Sequence, residues 1–150
     1  MAAPTLRTFL WFPDQLDEAL EFYRDTFGDG FVLHSQFRQE LHQPVFTADF
    51  SIYGHELTGM GWAGGDPFND SISLALRIDG QQESDRIWDA ITREGTAVNC
   101  GWCRDQFGVT WQVSPIQMDI WLQHPDKETR DYAWEAMGQM QRIIIDDLRR

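Results

Sequence analysis

The sequence predicts an α+β fold in which strand, helix and three further strands occur in that order twice, followed by a helical tail. Three observations carry it. Two segments show one apolar stripe at helical spacing, the runs beside them alternate with a period of two, and a glycine (Gly28, Gly95) closes each helical segment. A chain of 150 residues with 42% hydrophobic and 13% aromatic side chains can fill a core, so extended disorder is excluded.

Leu6 to Phe12 reads as a strand ended by Pro13-Asp14. Asp14 is placed to cap the helix that follows, and Asp17 and Glu18 favour its positive end. Leu16, Ala19, Leu20, Tyr23 and Phe27 form the stripe. Strands are expected at Phe31 to Phe37, at Val45 to Tyr53 and at about His55 to Trp62. In the second of these Phe46, Ala48, Phe50 and Ile52 take one face, and Thr47, Asp49 and Ser51 the other. The turn-rich stretch Ala63 to Asp70 reads as a linker. The pattern then restarts with a strand at Ser71 to Ile78 and a helix at Gln82 to Arg93, whose face is Ile87, Trp88 and Ile91. Short strands follow near Thr96 to Asn99, Gly101 to Arg104 and Val109 to Ser114. The expected organisation is a single domain: module one at about 5–62, linker 63–70, module two at about 71–115 and tail 116–150. From Asp126 to about Leu148 the tail is expected as one long helix, because Ala133, Ala136, Met137, Met140, Ile143 and Ile144 keep helical spacing. Its stripe suits packing on its own domain or on a partner subunit.

Strand parity points to a site. Phe9 and Trp11, then Leu74, Leu76 and Ile78, then Val109, Trp111 and Val113 are expected to face the helices. The opposite phase holds Thr8, Leu10 and Phe12, then Ser73, Ala75 and Arg77, then Thr110, Gln112 and Ser114. Two curled sheets would enclose that mixed face as a cavity, whereas a solvated sheet face is the plainer alternative. The candidate ligand-binding residues are Thr8, Asp49, Ser73, Arg77, Trp102 and Gln112. A guanidinium in a partly dry pocket grips carboxylate or phosphate, which suggests an anionic small molecule, with Asp49 a candidate partner for Arg77 across the cavity. The alternative for Arg77 is solvent, or an acidic residue paired with it for structure alone. If its charge is desolvated, Arg77→Ala is expected to weaken such a ligand by about 2–5 kcal/mol.

Other motifs carry less. Cys100-Gly101-Trp102-Cys103 precedes a turn and strands rather than a helix, so it lacks the setting that lowers a redox thiol's pKa. The histidines His34, His42, His55 and His124 are scattered without zinc-ligand spacing. His55 and Glu56 are strand neighbours and point to opposite faces. No glycine-rich loop opens a helix after a strand, and G-x-S-x-G is absent. Twelve Lys plus Arg against 24 Asp plus Glu leave −12, which argues against nucleic acid or an anionic membrane as partner. Two cysteines, no apolar span and a start of Met1-Ala2-Ala3-Pro4 suggest the cytoplasm.

The stretch Phe9-Leu10-Trp11-Phe12, Glu18-Ala19-Leu20-Glu21-Phe22-Tyr23 and Phe27-Gly28 resembles the opening of PhnB-like proteins of the vicinal oxygen chelate (glyoxalase/bleomycin resistance/dioxygenase) superfamily. So do Cys100-Gly101-Trp102, Asp105, Gly108-Val109, Trp111-Gln112-Val113-Ser114-Pro115, and Ala136-Met137, Gln139-Met140 and Ile145. The resemblance implies two βαβββ modules that each curl half of a cavity, and a homodimer. It also implies metal ligands of His and Glu type, at positions that fall here on Thr8, Ser73, Gln112 and near Gly59 or Met60. Those side chains are poor donors for a divalent ion, so neither metal nor other cofactor is expected. The group also carries a 3-demethylubiquinone-9 3-methyltransferase label, for which no cofactor-binding loop is found here. Two readings result. One is a metal-free small-molecule binding protein; the other is a lyase, dioxygenase or transferase type of enzyme using the same cavity.

Overall fold

The computed structural model describes residues 1–150, which divide into two compact units, Met1–Asp66 and Pro67–Arg150. The first unit runs β1 (Thr8–Phe12), α1 (Leu16–Phe27), a 3-10 turn (Gly28–Gly30), β2 (Phe31–Phe37), β3 (Thr47–Ile52) and β4 (His55–Gly61). Its sheet has the order β1-β4-β3-β2, with β1 parallel to β4 and the other pairs antiparallel. The expected stripe of α1 is buried in full, and Tyr23 stacks on Phe50 of β3 at 6.3 Å between centroids. The close fit depends on Gly59, where a Cβ would lie 2.6 Å from Leu16 Cδ1. Asp14 does not cap the helix. With the first turn at Leu16, Gln15 holds the cap position and makes no side-chain cap bond, which leaves Asp14 one residue too early.

The second unit repeats the connectivity: β5 (Leu74–Ile78), α2 (Gln81–Thr92), β6 (Thr96–Ala97), β7 (Trp102–Arg104) and β8 (Thr110–Pro115). Its order, β5-β8-β7-β6, is again first, fourth, third, second, and β5 is parallel to β8. Ile87, Trp88 and Ile91 of α2 are buried, as are Leu76, Ile78, Trp111 and Val113 of the sheet. Gly95 permits the exit from α2, since a Cβ there would lie 2.1 Å from the Arg104 carbonyl oxygen. Both sheets are open and four-stranded, and neither closes into a barrel.

The tail corrects an expectation. It is not one helix but α3 (Met118–Leu122), α4 (Lys127–Gly138) and a 3-10 turn at Ile145–Leu148. Helical spacing continues past Gly138, yet the backbone there is committed elsewhere. Cys100 N–H donates to the Met140 carbonyl (2.8 Å) and Gly101 N–H to that of Gln141 (2.7 Å). The Gln81 side-chain amide donates to the Ile143 carbonyl (2.8 Å), and its oxygen accepts from Ile145 N–H (2.7 Å). Leu122, Ala133, Ile143 and Leu148 make a small core with Met118, Trp121, Met137 and Met140 beside them. No helix is long and apolar enough to cross a membrane.

Candidate functional site

In each unit the helix covers one sheet face, and the other face collects the polar side chains. The second sheet follows the expected parity. Leu74, Trp111 and Cys103 pair in register on the covered side, and Ala75, Gln112 and Trp102 form the adjoining row on the uncovered side. Gln112 Nε2 donates to Ser73 Oγ at 2.8 Å, so an amide and a hydroxyl are tied together beside the Trp102 indole. Arg77 and Ser114 form the next register pair on this face. The Arg77 side chain is 55% exposed, and its Nη2 contacts the Asp119 carboxylate of α3.

At the other end of the face, Arg104 Nε and Thr110 Oγ1 donate to Asp70 Oδ1 at 2.8 and 2.7 Å. Chiefly the bond from Arg104, and then that from Thr110, lower the Asp70 carboxyl to about 2. Below the sheet, burial raises the Cys103 thiol to about 12, with the Asp105 charge adding to it. Cys103 is therefore a buried core residue whose thiol is held in its protonated form.

In the first unit, β1 runs against the expected parity. Leu10 and Phe12 are buried toward α1, whereas Phe9 and Trp11 are 56% and 38% exposed on the uncovered face. Both phases of β1 are apolar, so alternation could not choose between them; packing against Leu16 and Gly59 does. Thr8 consequently leaves the candidate face. It shares the phase of Leu10, and its Oγ1 lies 2.9 Å from His55 Nε2.

Asp49 does lie on the uncovered face, in a network that parity reasoning missed. Thr58 Oγ1 donates to Asp49 Oδ1 at 2.7 Å, and Arg7 Nη2 lies 3.7 Å from Asp49 and 3.4 Å from Glu56. His34, at a bulge of β2 between Leu33 and Ser35, brings Nε2 to 3.1 Å from Ser51 Oγ and 3.6 Å from Glu56 Oε1. The alternation of Glu56, Thr58 and Met60 with Leu57 and Gly59 on β4 was the available signal. Asp49 and Arg77 thus each meet a different charged partner inside their own unit, Arg7 for one and Asp119 for the other.

The donor set does not fit the metal that the resemblance implies. Gly59 faces α1, Met60 offers only a thioether, and Ser73 and Gln112 offer a neutral hydroxyl and amide, which offset little of a divalent ion's dehydration. No three His, Cys, Asp or Glu side chains converge as ligands, and Arg7 stands between the two carboxylates of the first face.

The family model described as 3-demethylubiquinone-9 3-methyltransferase matches residues 4–114. No curated protein matches the chain. Among solved structures, a Bacillus cereus PhnB protein that carries the same methyltransferase name is 24% identical, with a TM-score of 0.67 over 75% of this chain and 99% of that one. A Pseudomonas aeruginosa protein is 19% identical, with a TM-score of 0.63 over 75% and 98%. A fosfomycin resistance protein from Mesorhizobium loti is 13% identical, with a TM-score of 0.54 over 74% and 90%. These likenesses establish the shared fold. With its repeated βαβββ sheets and a family match through residue 114, the chain belongs to the family described as 3-demethylubiquinone-9 3-methyltransferase, and it shares its fold with the Bacillus cereus PhnB protein.

Proposed function

We propose that this protein binds a small polar molecule against the uncovered face of its second sheet, without the superfamily's metal. The observation that carries this reading is the Gln112–Ser73 pair beside Trp102, a neutral donor and acceptor next to a flat apolar wall on a face no helix covers. Arg77 stands one register pair further along and would donate hydrogen bonds to a polar group of the ligand. Because more than half of its side chain is exposed, Arg77→Ala would weaken such a ligand by about 1 kcal/mol rather than the value for a dry charge pair. Asp49 would serve a ligand only from the first sheet's own face. The fosfomycin resistance protein supports this reading at the level of the fold alone. A homodimer that binds neither nucleic acid nor membrane, in the cytoplasm, completes the proposal and agrees with a net charge of −12.

The methyltransferase name finds no support in the chain's own residues, which include no glycine-rich loop between a strand and a helix. A second reading, an enzyme, rests on the first sheet, where His34 lies within hydrogen-bonding distance of Ser51 Oγ and beside Glu56. That group could move a proton.

A metabolite screen by thermal shift tests the first reading, because a ligand that binds only the folded state raises Tm. Hits are expected to lose their effect in Trp102→Ala and Gln112→Leu and to keep it in His34→Ala. Hits unchanged in both second-sheet variants would overturn the assignment. A stoichiometric metal in the purified protein, stabilising it on readdition, would overturn the metal-free part.

A further inference from the structure

The family match ends at residue 114, and the tail beyond it is not a passive appendage. β8 ends at Pro115, Ile116 N–H donates to the Ile78 carbonyl (2.8 Å), and Gln117 Nε2 donates to Asp79 Oδ1 (2.6 Å). Gln117 Oε1 also accepts from Gly80 N–H at 3.0 Å. These bonds seat the first turn of α3 at the end of β5, where Asp119 reaches Arg77. Arg77 stands on the uncovered face, and Asp119 is the only acidic side chain in ion-pair contact with it. A carboxylate supplied by the tail therefore sits where the carboxylate of a ligand would bind.

We propose that Asp119 determines ligand charge at this site, holding Arg77 neutralised so that the face takes neutral molecules and discriminates against anions. The proposal rests on the reading of the second sheet as the binding face and assigns that face its selectivity. An incoming anion must displace Asp119 or share the guanidinium with it, and either route costs affinity. Arg77 itself keeps unused donors, since a guanidinium carries five N–H groups and only Nη2 meets Asp119. Discrimination is thus graded rather than absolute. The contact is partly exposed, so its effect is modest.

The test reads Arg77 directly. The full-length protein is treated with phenylglyoxal, and modification of the Arg77 peptide is followed by mass spectrometry while inorganic phosphate competes. Asp119→Asn is expected to lower the phosphate concentration that half-protects Arg77 by about two- to fivefold. Asp131→Asn makes the same change in net charge at an exposed site on α4, where Asp131 meets Lys127, and is expected to change protection less than twofold. Asp119→Ser is a second variant that leaves no carboxylate and is expected to behave as Asp119→Asn. Equal half-protection in wild type and both Asp119 variants would overturn the proposal, as would an equal gain in Asp131→Asn. Failure of the binding-face reading would instead appear as metabolite hits insensitive to Trp102→Ala and Gln112→Leu, whatever phosphate does at Arg77.

Discussion

Replacing Asp105 by alanine is expected to destabilise the second unit by about 3–5 kcal/mol. The carboxylate is 3% exposed and organises the β7–β8 turn. Oδ1 accepts from Phe107 N–H and Val109 N–H, both at 3.0 Å, and Oδ2 accepts from the Trp111 indole N–H at 2.9 Å. Alanine strips the partner from three buried donors, each worth roughly 1–3 kcal/mol when left unsatisfied, and water entry returns part of that. Asparagine keeps an oxygen for the two backbone donors but turns an amide N–H₂ toward the indole N–H. Its cost is about 1–2 kcal/mol. Urea titrations followed by circular dichroism and tryptophan fluorescence, with the slope held comparable between variants, give both values. An alanine variant within 1 kcal/mol of wild type, or an asparagine variant as damaged as alanine, would refute the reasoning. The same turn sets Trp102 opposite Gln112, so Asp105→Ala is also expected to weaken any ligand of that face.

Three further outcomes are expected. In native protein at pH 8 the Cys103 thiol, raised to about 12 by burial, does not react with a thiol reagent, and it reacts once the chain is denatured; peptide mapping of the labelled protein checks this. Gly101→Ala places a Cβ 2.9 Å from the Val113 carbonyl oxygen and 3.0 Å from Ile143 Cγ1 at a φ of +82°, so it is expected to cost about 1–3 kcal/mol in thermal unfolding. It is also expected to expose the tail to limited proteolysis, because Gly101 N–H holds Gln141. Asp70 titrates at about 2 in the folded chain, against 3.8 for an ordinary aspartate, so its contribution is present above pH 4 and is lost as pH falls toward 2. Asp70→Asn is accordingly expected to flatten the acid limb of the stability–pH profile, measured by Tm between pH 5 and 2.

Much of the architecture was legible in the sequence because burial imposes a period. The stripe of α1, the alternation of β3 from Thr47 and the covered phase of β5 and β8 all appear where a polar phase contrasts with an apolar one. The uncovered positions of Ser73, Arg77 and Gln112 were legible for the same reason, whereas alternation did not place Trp102. Where contrast fails, only tertiary packing decides. In β1 four successive apolar residues carry no phase, and contact with Leu16 turned Phe12 inward, which removed Thr8 from the face and placed Phe9 and Trp11 on it. In the tail, helical spacing runs through Gly138, but the backbone bonds of residues 140 and 141 to the Cys100–Gly101 turn compete with the helix and end it. Partners of charged groups are likewise a matter of three dimensions. Nothing local distinguishes Asp119 from the chain's other acids, and its role on Arg77 arises only because Gln117 and Ile116 dock the tail against the end of β5.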